Sequence, residues 1–133
     1  MQIQISTDYA IRILQYLHKH KDKLPTAKTI SQAIGMTYPF FIKIAGQLKQ
    51  SGLVDTAQGR NGGYKLAKQV SNISLYDVFL AIEGELKVNR CLEDAQYCSR
   101  NAVGSCSIHD YFHTLQEDLI GKLSGTYIIE FAN

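Results

Sequence analysis

Residues 53–67, LVDTAQGRNGGYKLA, constrain the fold of this chain more than any other stretch. Leu53-Val54-Asp55-Thr56 and Tyr64-Lys65-Leu66-Ala67 are strand-like runs, and Gln58-Gly59-Arg60-Asn61-Gly62-Gly63 between them is a glycine turn. Two such runs around a glycine-containing connection read as a β-hairpin. Its tip presents Arg60 beside the small polar Asn61 and three glycines, a backbone able to approach a phosphate or enter a narrow minor groove, where arginine is favoured. A plain surface hairpin is the simpler alternative, so what precedes the hairpin decides its meaning.

What precedes it is helical. Ala10, Ile13, Leu14 and Leu17 recur at i, i+3, i+4, i+7 behind a capping run Ser6-Thr7-Asp8, which predicts a helix over residues 3–20. The basic end His18 to Lys23 suits the negative helix C-terminus and needs no metal role. Asp8 sits in the first turn, where interaction with the helix dipole explains it. Pro25-Thr26 recaps the chain into a short helix of about Ala27 to Ile34, ended by Gly35. Thr37 caps a third helix with Phe41, Ile44, Ala45 and Leu48 inward, and Pro39 is tolerated in its first turn. Two helices joined by a short glycine turn are the helix-turn-helix signature, whose second helix lays its N-terminal residues, here Thr37, Tyr38, Phe40 and Lys43, in a DNA major groove. A hairpin following such a unit is a wing. Ser74 and Asp77 then cap a fourth helix with Val78, Phe79 and Ile82 inward, closed by Gly84. The first domain thus spans 1–84, a winged helix-turn-helix, and the fold class is mainly α with a small β-hairpin.

Residues 85–106 form a cysteine-rich loop that holds Cys91, Cys98 and Cys106, with His109 three residues on, in the spacing C-x6-C-x7-C-x2-H. The loop has neither helical nor strand periodicity, so little apolar surface is available to order it. Thiolates and imidazole are the ligands that zinc and iron–sulfur clusters select. From spacing alone zinc is as plausible as iron, and three inert reduced thiols are the bland alternative. Three cysteines cannot all pair within one chain and Met1 to Ala10 does not resemble a signal peptide, so the expected compartment is the reducing cytosol. Ser107 and Asp110 read as a capping pair opening a helix through Ile108, Phe112, Leu115, Leu119 and Leu123, which puts Cys106 and His109 at a helix N-terminus that favours thiolates. Residues 107–133 are read as this helix plus a tail. Its apolar seam calls for the same helix of a second subunit. The tail, with Tyr127, Ile128, Ile129 and Phe131, reads equally as a short strand or a helical turn.

Charge divides with this boundary. Residues 1–84 carry ten Lys/Arg against five Asp/Glu, and residues 85–133 four against seven. A basic first part joined to an acidic second part suits a polyanion-binding module attached to something that does not touch the polyanion. No apolar run approaches a membrane span, and no nucleophile-elbow, phosphate-loop or metalloprotease motif occurs, so neither a membrane role nor an enzyme is expected.

Ser51-Gly52-Leu53-Val54, Gly59-x-x-Gly62-Gly63-Tyr64-x-Leu66-Ala67 and Ile73-Ser74-Leu75-x-Asp77-Val78 closely resemble the Rrf2 family of bacterial winged-helix regulators, in its IscR-, NsrR- and CymR-like branches. Tyr9-Ala10, the pattern Phe41 to Leu48, and the three-cysteine loop before a dimerisation helix fall in the family's order, so the resemblance covers nearly the whole chain. It implies a homodimeric transcription factor on a palindromic double-stranded DNA operator. It also implies that Cys91, Cys98 and Cys106 would ligate an iron–sulfur cluster. The fourth ligand differs between branches: a histidine three residues past the last cysteine matches His109 and a 2Fe-2S cluster, whereas an N-terminal aspartate from the partner subunit matches Asp8 and a 4Fe-4S cluster. Cys-Ser-Ile-His is the more specific match, which favours His109. The cysteine gaps exceed the five-residue gaps of IscR-like members, so zinc or no metal stays an alternative. At the family's DNA-contacting positions the chain keeps a hydroxyl at Thr37 and a cation at Lys49, but has Pro39, Ile42 and Gln58 in place of serine, glutamate and arginine. Arg60 would take over the missing arginine's role. Two other functions remain open: a cluster-free regulator of the same fold controlled by a protein partner or thiol oxidation, and more remotely a small iron–sulfur redox carrier.

Overall fold

The computed structural model describes residues 2–131. Helix α1, Ile5–Lys19, buries Ala10, Ile13, Leu14 and Leu17 along one face. Its start departs from the expected Ser6-Thr7-Asp8 cap. The cap position falls on Gln4, whose side chain makes no capping bond, and Ser6, Thr7 and Asp8 lie inside the first turn. A carboxylate from elsewhere takes the capping role: Glu83 accepts from the Gln4 backbone N–H (3.2 Å) and from the Thr7 hydroxyl. A negative group at an N-terminus relieves unpaired N–H groups and favours the dipole. Because that acid lies 79 residues away from Gln4, no local pattern announces it.

Helices α2, Ala27–Ile34, and α3, Tyr38–Gln50, are capped as their sequences require, by Thr26 and Thr37. Between them Gly35 takes φ +83°, a left-handed conformation glycine adopts without the Cβ clash other residues incur. One face of α3, Phe41, Ile44, Ala45 and Leu48, is fully buried against the core. Strands β1, Val54–Ala57, and β2, Gly63–Leu66, form the antiparallel hairpin in register Val54↔Leu66 to Ala57↔Gly63. The hairpin does not stand free. The Tyr64 N–H donates to the Pro25 carbonyl (2.9 Å), so the outer side of β2 is bonded to the segment between α1 and α2. Tyr64 also sets its ring edge-on against Phe41, centroids 5.1 Å apart. This double attachment fixes the wing relative to α3.

Helix α4, Leu75–Glu83, has a complete capping box, with Ser74 Oγ accepting from the Asp77 N–H (3.0 Å) and Asp77 accepting from the Ser74 N–H (2.9 Å). After Gly84 the cysteine loop contains three single 3-10 turns, Arg90–Leu92, Ala95–Tyr97 and Val103–Ser105, each too short to leave a periodic signature. Helix α5, Ser107–Ser124, follows. The tail then returns to the winged unit and proves to be both a bridge and a turn. Tyr127 bridges Ser74, Ile128–Phe131 is a 3-10 turn, and the last two residues lie outside the described ones. The Leu75 N–H donates to Thr126 O (2.8 Å) and the Ile128 N–H to Ile73 O (2.9 Å). Ile128 itself is fully buried in the core of the winged unit, a burial that contributes about 2 kcal/mol. The result is a winged helix-turn-helix with a long C-terminal helix, as the sequence led one to expect. Among the described residues no helix is long and apolar enough to cross a membrane.

At Gly63 a Cβ would overlap the carbonyl oxygens of both Leu24 and Pro25. Gly63→Ala should therefore destabilise the fold by about 2 kcal/mol, the cost of forcing a packed backbone apart, read as a lower urea midpoint. A midpoint equal to the parent's would show that the wing is not seated as described.

Candidate functional site

The first candidate surface is the outer face of α3 together with the wing. Thr37, Tyr38, Pro39, Ile42, Lys43 and Lys49 are exposed there. Phe40 is not: it is half-buried, with its ring edge-on to Tyr9 at 5.5 Å. A groove of about 440 Å³ separates α3 from the hairpin, lined by Tyr38, Ile42, Gly46 and Lys49 on one side and Thr56, Gln58, Gly62 and Tyr64 on the other. Lys49 Nζ donates to Thr56 Oγ1 (2.9 Å), which ties the helix to β1 across that groove. Thr37 Oγ1 accepts from the Phe40 N–H (3.3 Å), so its hydroxyl caps the helix while its own O–H can still donate outward. Gln58, Arg60 and Asn61 are exposed at the hairpin tip. The Tyr64 phenol on the groove wall is pushed up by burial and then by the neighbouring Tyr38, and stays neutral.

The second surface is the cysteine loop. A cavity of about 330 Å³ is lined by Cys91, Cys98, Cys106 and His109 together, with Arg90, Tyr97 and Arg100 around them. All three cysteines are free thiols and half-buried. Each sulfur meets a nitrogen. Asn89 Nδ2 donates to Cys91 Sγ (3.3 Å), the Ala102 N–H to Cys98 Sγ (3.4 Å) and an Arg100 guanidinium nitrogen to Cys106 Sγ (3.6 Å). His109 Nδ1 lies 3.2 Å from Cys91 Sγ. The Cys98 thiol is held below its ordinary range, chiefly by the Ala102 N–H and next by that of Arg100. Donors aimed at sulfur stabilise thiolates and tune whatever they ligate. The Arg90 guanidinium over the Tyr97 ring, 4.2 Å from its centroid, helps shape a loop that is poor in apolar residues.

Helix α5 begins one residue differently from the sequence reading. Its cap position is Cys106 rather than Ser107, without a side-chain capping bond, and the Cys106 carbonyl accepts the Asp110 N–H (3.2 Å). Cys106 thus occupies the helix N-terminus itself. Asp8 lies elsewhere in its own chain, exposed and paired with Arg12 at 2.8 Å, and does not line the cavity. Among the described residues, no three thiol, imidazole or carboxylate groups converge closely enough to hold a single metal ion.

Gln116 escaped the sequence reading. It is the buried residue of α5, 4% exposed, and its Oε1 accepts the Val88 N–H (3.0 Å). Gln116 lies seven residues beyond His109, on the same face of the helix, so the two side chains clasp residues 88–91 from two points of α5. That spacing was the available signal. Much of the remaining α5 surface is apolar: Ile108, Tyr111 and Leu115 are exposed, and Val88, Phe112, Leu115 and Leu119 line a groove of about 520 Å³.

A helix-turn-helix with a seated wing defines the winged-helix class of DNA-binding regulators. Within that class the chain belongs to the Rrf2 family, the iron-dependent transcriptional regulators, whose family profile matches residues 3–133. It is 33% identical over 115 residues to the HTH-type transcriptional regulator NsrR of Halalkalibacterium halodurans, covering 85% of this chain and 77% of that protein. Two solved structures share the fold at lower identity. T. potens IscR superposes with a TM-score of 0.75 at 18% identity, covering 98% of this chain and 85% of that one. CymR, the global cysteine regulator of B. subtilis, also gives 0.75, at 20% identity and 99% and 96% coverage.

Replacing Gln116 by Leu leaves the Val88 N–H without its acceptor, which should cost about 1–3 kcal/mol and speed hydrogen exchange at Val88. Unchanged exchange at Val88 would mean that this bond does not hold the loop to α5.

Proposed function

We propose that this protein is a homodimeric DNA-binding regulator whose operator affinity is set by an iron–sulfur cluster held by Cys91, Cys98, Cys106 and His109. The observation that carries the reading is the single cavity these four residues share, with an N–H donor directed at every sulfur. Three thiolates and an imidazole are a donor set that iron–sulfur clusters take, their ligands binding different iron atoms; zinc takes the same set around one point and is the alternative. His109 is favoured as fourth ligand over Asp8 because it already lines the cavity, which supports 2Fe-2S over 4Fe-4S; Asp8 of the partner subunit is the alternative. When bound, such a cluster supplies a centre that reacts with oxidants, oxygen or nitric oxide.

The chain's own residues connect that loop to the reading surface. Cys106 and His109 stand at the start of α5, and the tail directly after α5 is bonded through Thr126 and Ile128 to Leu75 and Ile73 of the winged unit. A change in how the four residues are held is therefore a change at one end of a rod whose other end is set in the DNA-reading core. Such a rigid element can reorient reading heads, and it switches binding only if the two states differ in DNA affinity. Residues 1–84 read DNA in this scheme, 85–106 sense, and 107–133 join two copies. The apolar α5 groove takes the same helix of a second subunit, which matches a palindromic operator. Thr37, Tyr38, Pro39, Lys43 and Lys49 face the major groove, with Gln58, Arg60 and Asn61 at the adjacent minor groove. The half-buried Phe40 shapes the base of α3. A regulator of this kind works in the cytoplasm and has no catalytic task.

The three free, half-buried thiols support a second reading, a cluster-free regulator controlled by thiol oxidation or a protein partner. A redox carrier leaves the wing and α3 without a task. Native mass spectrometry of protein purified without oxygen decides between these: the expected mass is a dimer with one cluster per subunit, lost in Cys98→Ala together with the parent's operator affinity. Zinc or no metal in the intact dimer would replace cluster sensing by control through a protein partner or thiol oxidation, and salt-matched affinity unchanged in Cys98→Ala would sink switching through this loop. For the wing, Arg60→Ala should weaken operator binding and make log affinity less steep in log salt by about one unit. An unaltered slope would place Arg60 off the phosphates; cluster content should not change.

A further inference from the structure

The reading helix carries little of the chemistry with which proteins usually recognise base pairs. From Thr37 to Gly46 its sequence is TYPFFIKIAG, without arginine, asparagine, glutamine, aspartate or glutamate. Together with lysine and the hydroxyls, present here as Lys43 and Thr37, those are the side chains that pair with the hydrogen-bonding edges of guanine, adenine and cytosine in the major groove. Phe41, Ile44 and Ala45 are buried and Phe40 packs on Tyr9, so the stretch offers outward Thr37, Tyr38, Pro39, Ile42, Lys43 and Gly46. Tyr38 and Ile42 are 55% and 40% exposed and lie one helical turn apart on one face. Further along, the exposed Gln50 stands at the last residue of α3, far from the N-terminal end. Gln47 is half-buried with its Oε1 shielded, and Lys49 is bonded to Thr56. The N-terminal residues of a recognition helix are also the ones that reach base edges.

Of the features a base pair displays in the major groove, the thymine C5-methyl is the apolar one. We propose that Ile42, flanked by Tyr38 and Pro39, reads thymine methyl groups. Operator choice by this protein then rests on methyl contacts beneath the first two turns of α3, with Lys43 the cation there able to mark a guanine. The inference rests on the regulator reading above and adds the chemistry by which that regulator recognises its site.

The test begins with selection of binding duplexes from a random library by the full-length protein, which yields the operator. Each thymine is then replaced singly by deoxyuridine, which removes the methyl and keeps every hydrogen-bonding group. At one or two thymines in each half-site the affinity should fall about fourfold, the value of one buried methyl-sized group. With Ile42→Ala the deoxyuridine at the thymine facing residue 42 should have no further effect, because side chain and methyl then report one contact. Residue 42 is exposed, so this variant leaves the core intact. Enriched duplexes that tolerate every deoxyuridine within about twofold of the parent affinity would overturn the inference alone. So would a loss that persists undiminished in Ile42→Ala, which would assign it to DNA shape. A selection that enriches no sequence would overturn the regulator reading and this inference with it.

Discussion

The burial of one face of α3 decides the rest of the reading surface. Phe41, Ile44, Ala45 and Leu48 enter the core fully, in a cluster with Ala10, Ile13, Leu14 and Leu17 of α1 and Ile30 of α2. With those four inside, Lys43 lies opposite them, while Tyr38, Ile42 and Lys49 lie on the flank that faces the wing, where they stay exposed. The wing is then aimed by the same residues. Tyr64 packs on Phe41 and bonds Pro25, Gly63 allows the backbones to approach, and Lys49 reaches Thr56. The hairpin is oriented jointly by α3 and by the segment between α1 and α2.

The second half of the chain is organised around α5 as a tether. It holds the cysteine loop through His109 at Cys91 and Gln116 at Val88, and it holds the winged unit through Thr126 and Ile128. These attachments differ in kind. Ile128 is anchored by apolar burial, which tolerates small changes in angle, whereas Gln116 makes one directional hydrogen bond in a buried place, where losing the partner is costly. Exposed pairs such as Asp8 with Arg12 matter less, since an exposed i, i+4 bridge contributes about 0.5 kcal/mol at most. Polar contacts to sulfur and backbone thus order the loop beside the burial of Leu86 at its start.

Local features were legible because their causes are local. Thr37 caps α3 and Ser74 with Asp77 caps α4, since each cap bonds a group three residues away. The hairpin was visible for the same reason: its strands are adjacent in sequence and its glycines mark the turn. The cap of α1 was misread because a serine-threonine-aspartate run looks sufficient on its own, while the acid that serves this end arrives from α4. At α5 the start moved by one residue, to Cys106, because a helix terminus is set by where backbone bonding begins, and neighbouring capping candidates are nearly equivalent.

The sequence alone determined the class of fold, the limits of the first four helices within a few residues, the cysteine–histidine set and the apolar seam of α5, because periodicity, caps and glycine turns act over a few residues. Only the tertiary structure decided that the four donors share one cavity, that Phe40 turns inward while Ile42 turns out, that Gln116 clasps the loop, and that the tail closes on Ile73 and Leu75. Each of those facts depends on groups distant in the chain meeting in space. Such meetings are set by the packing of whole helices, which no local window contains.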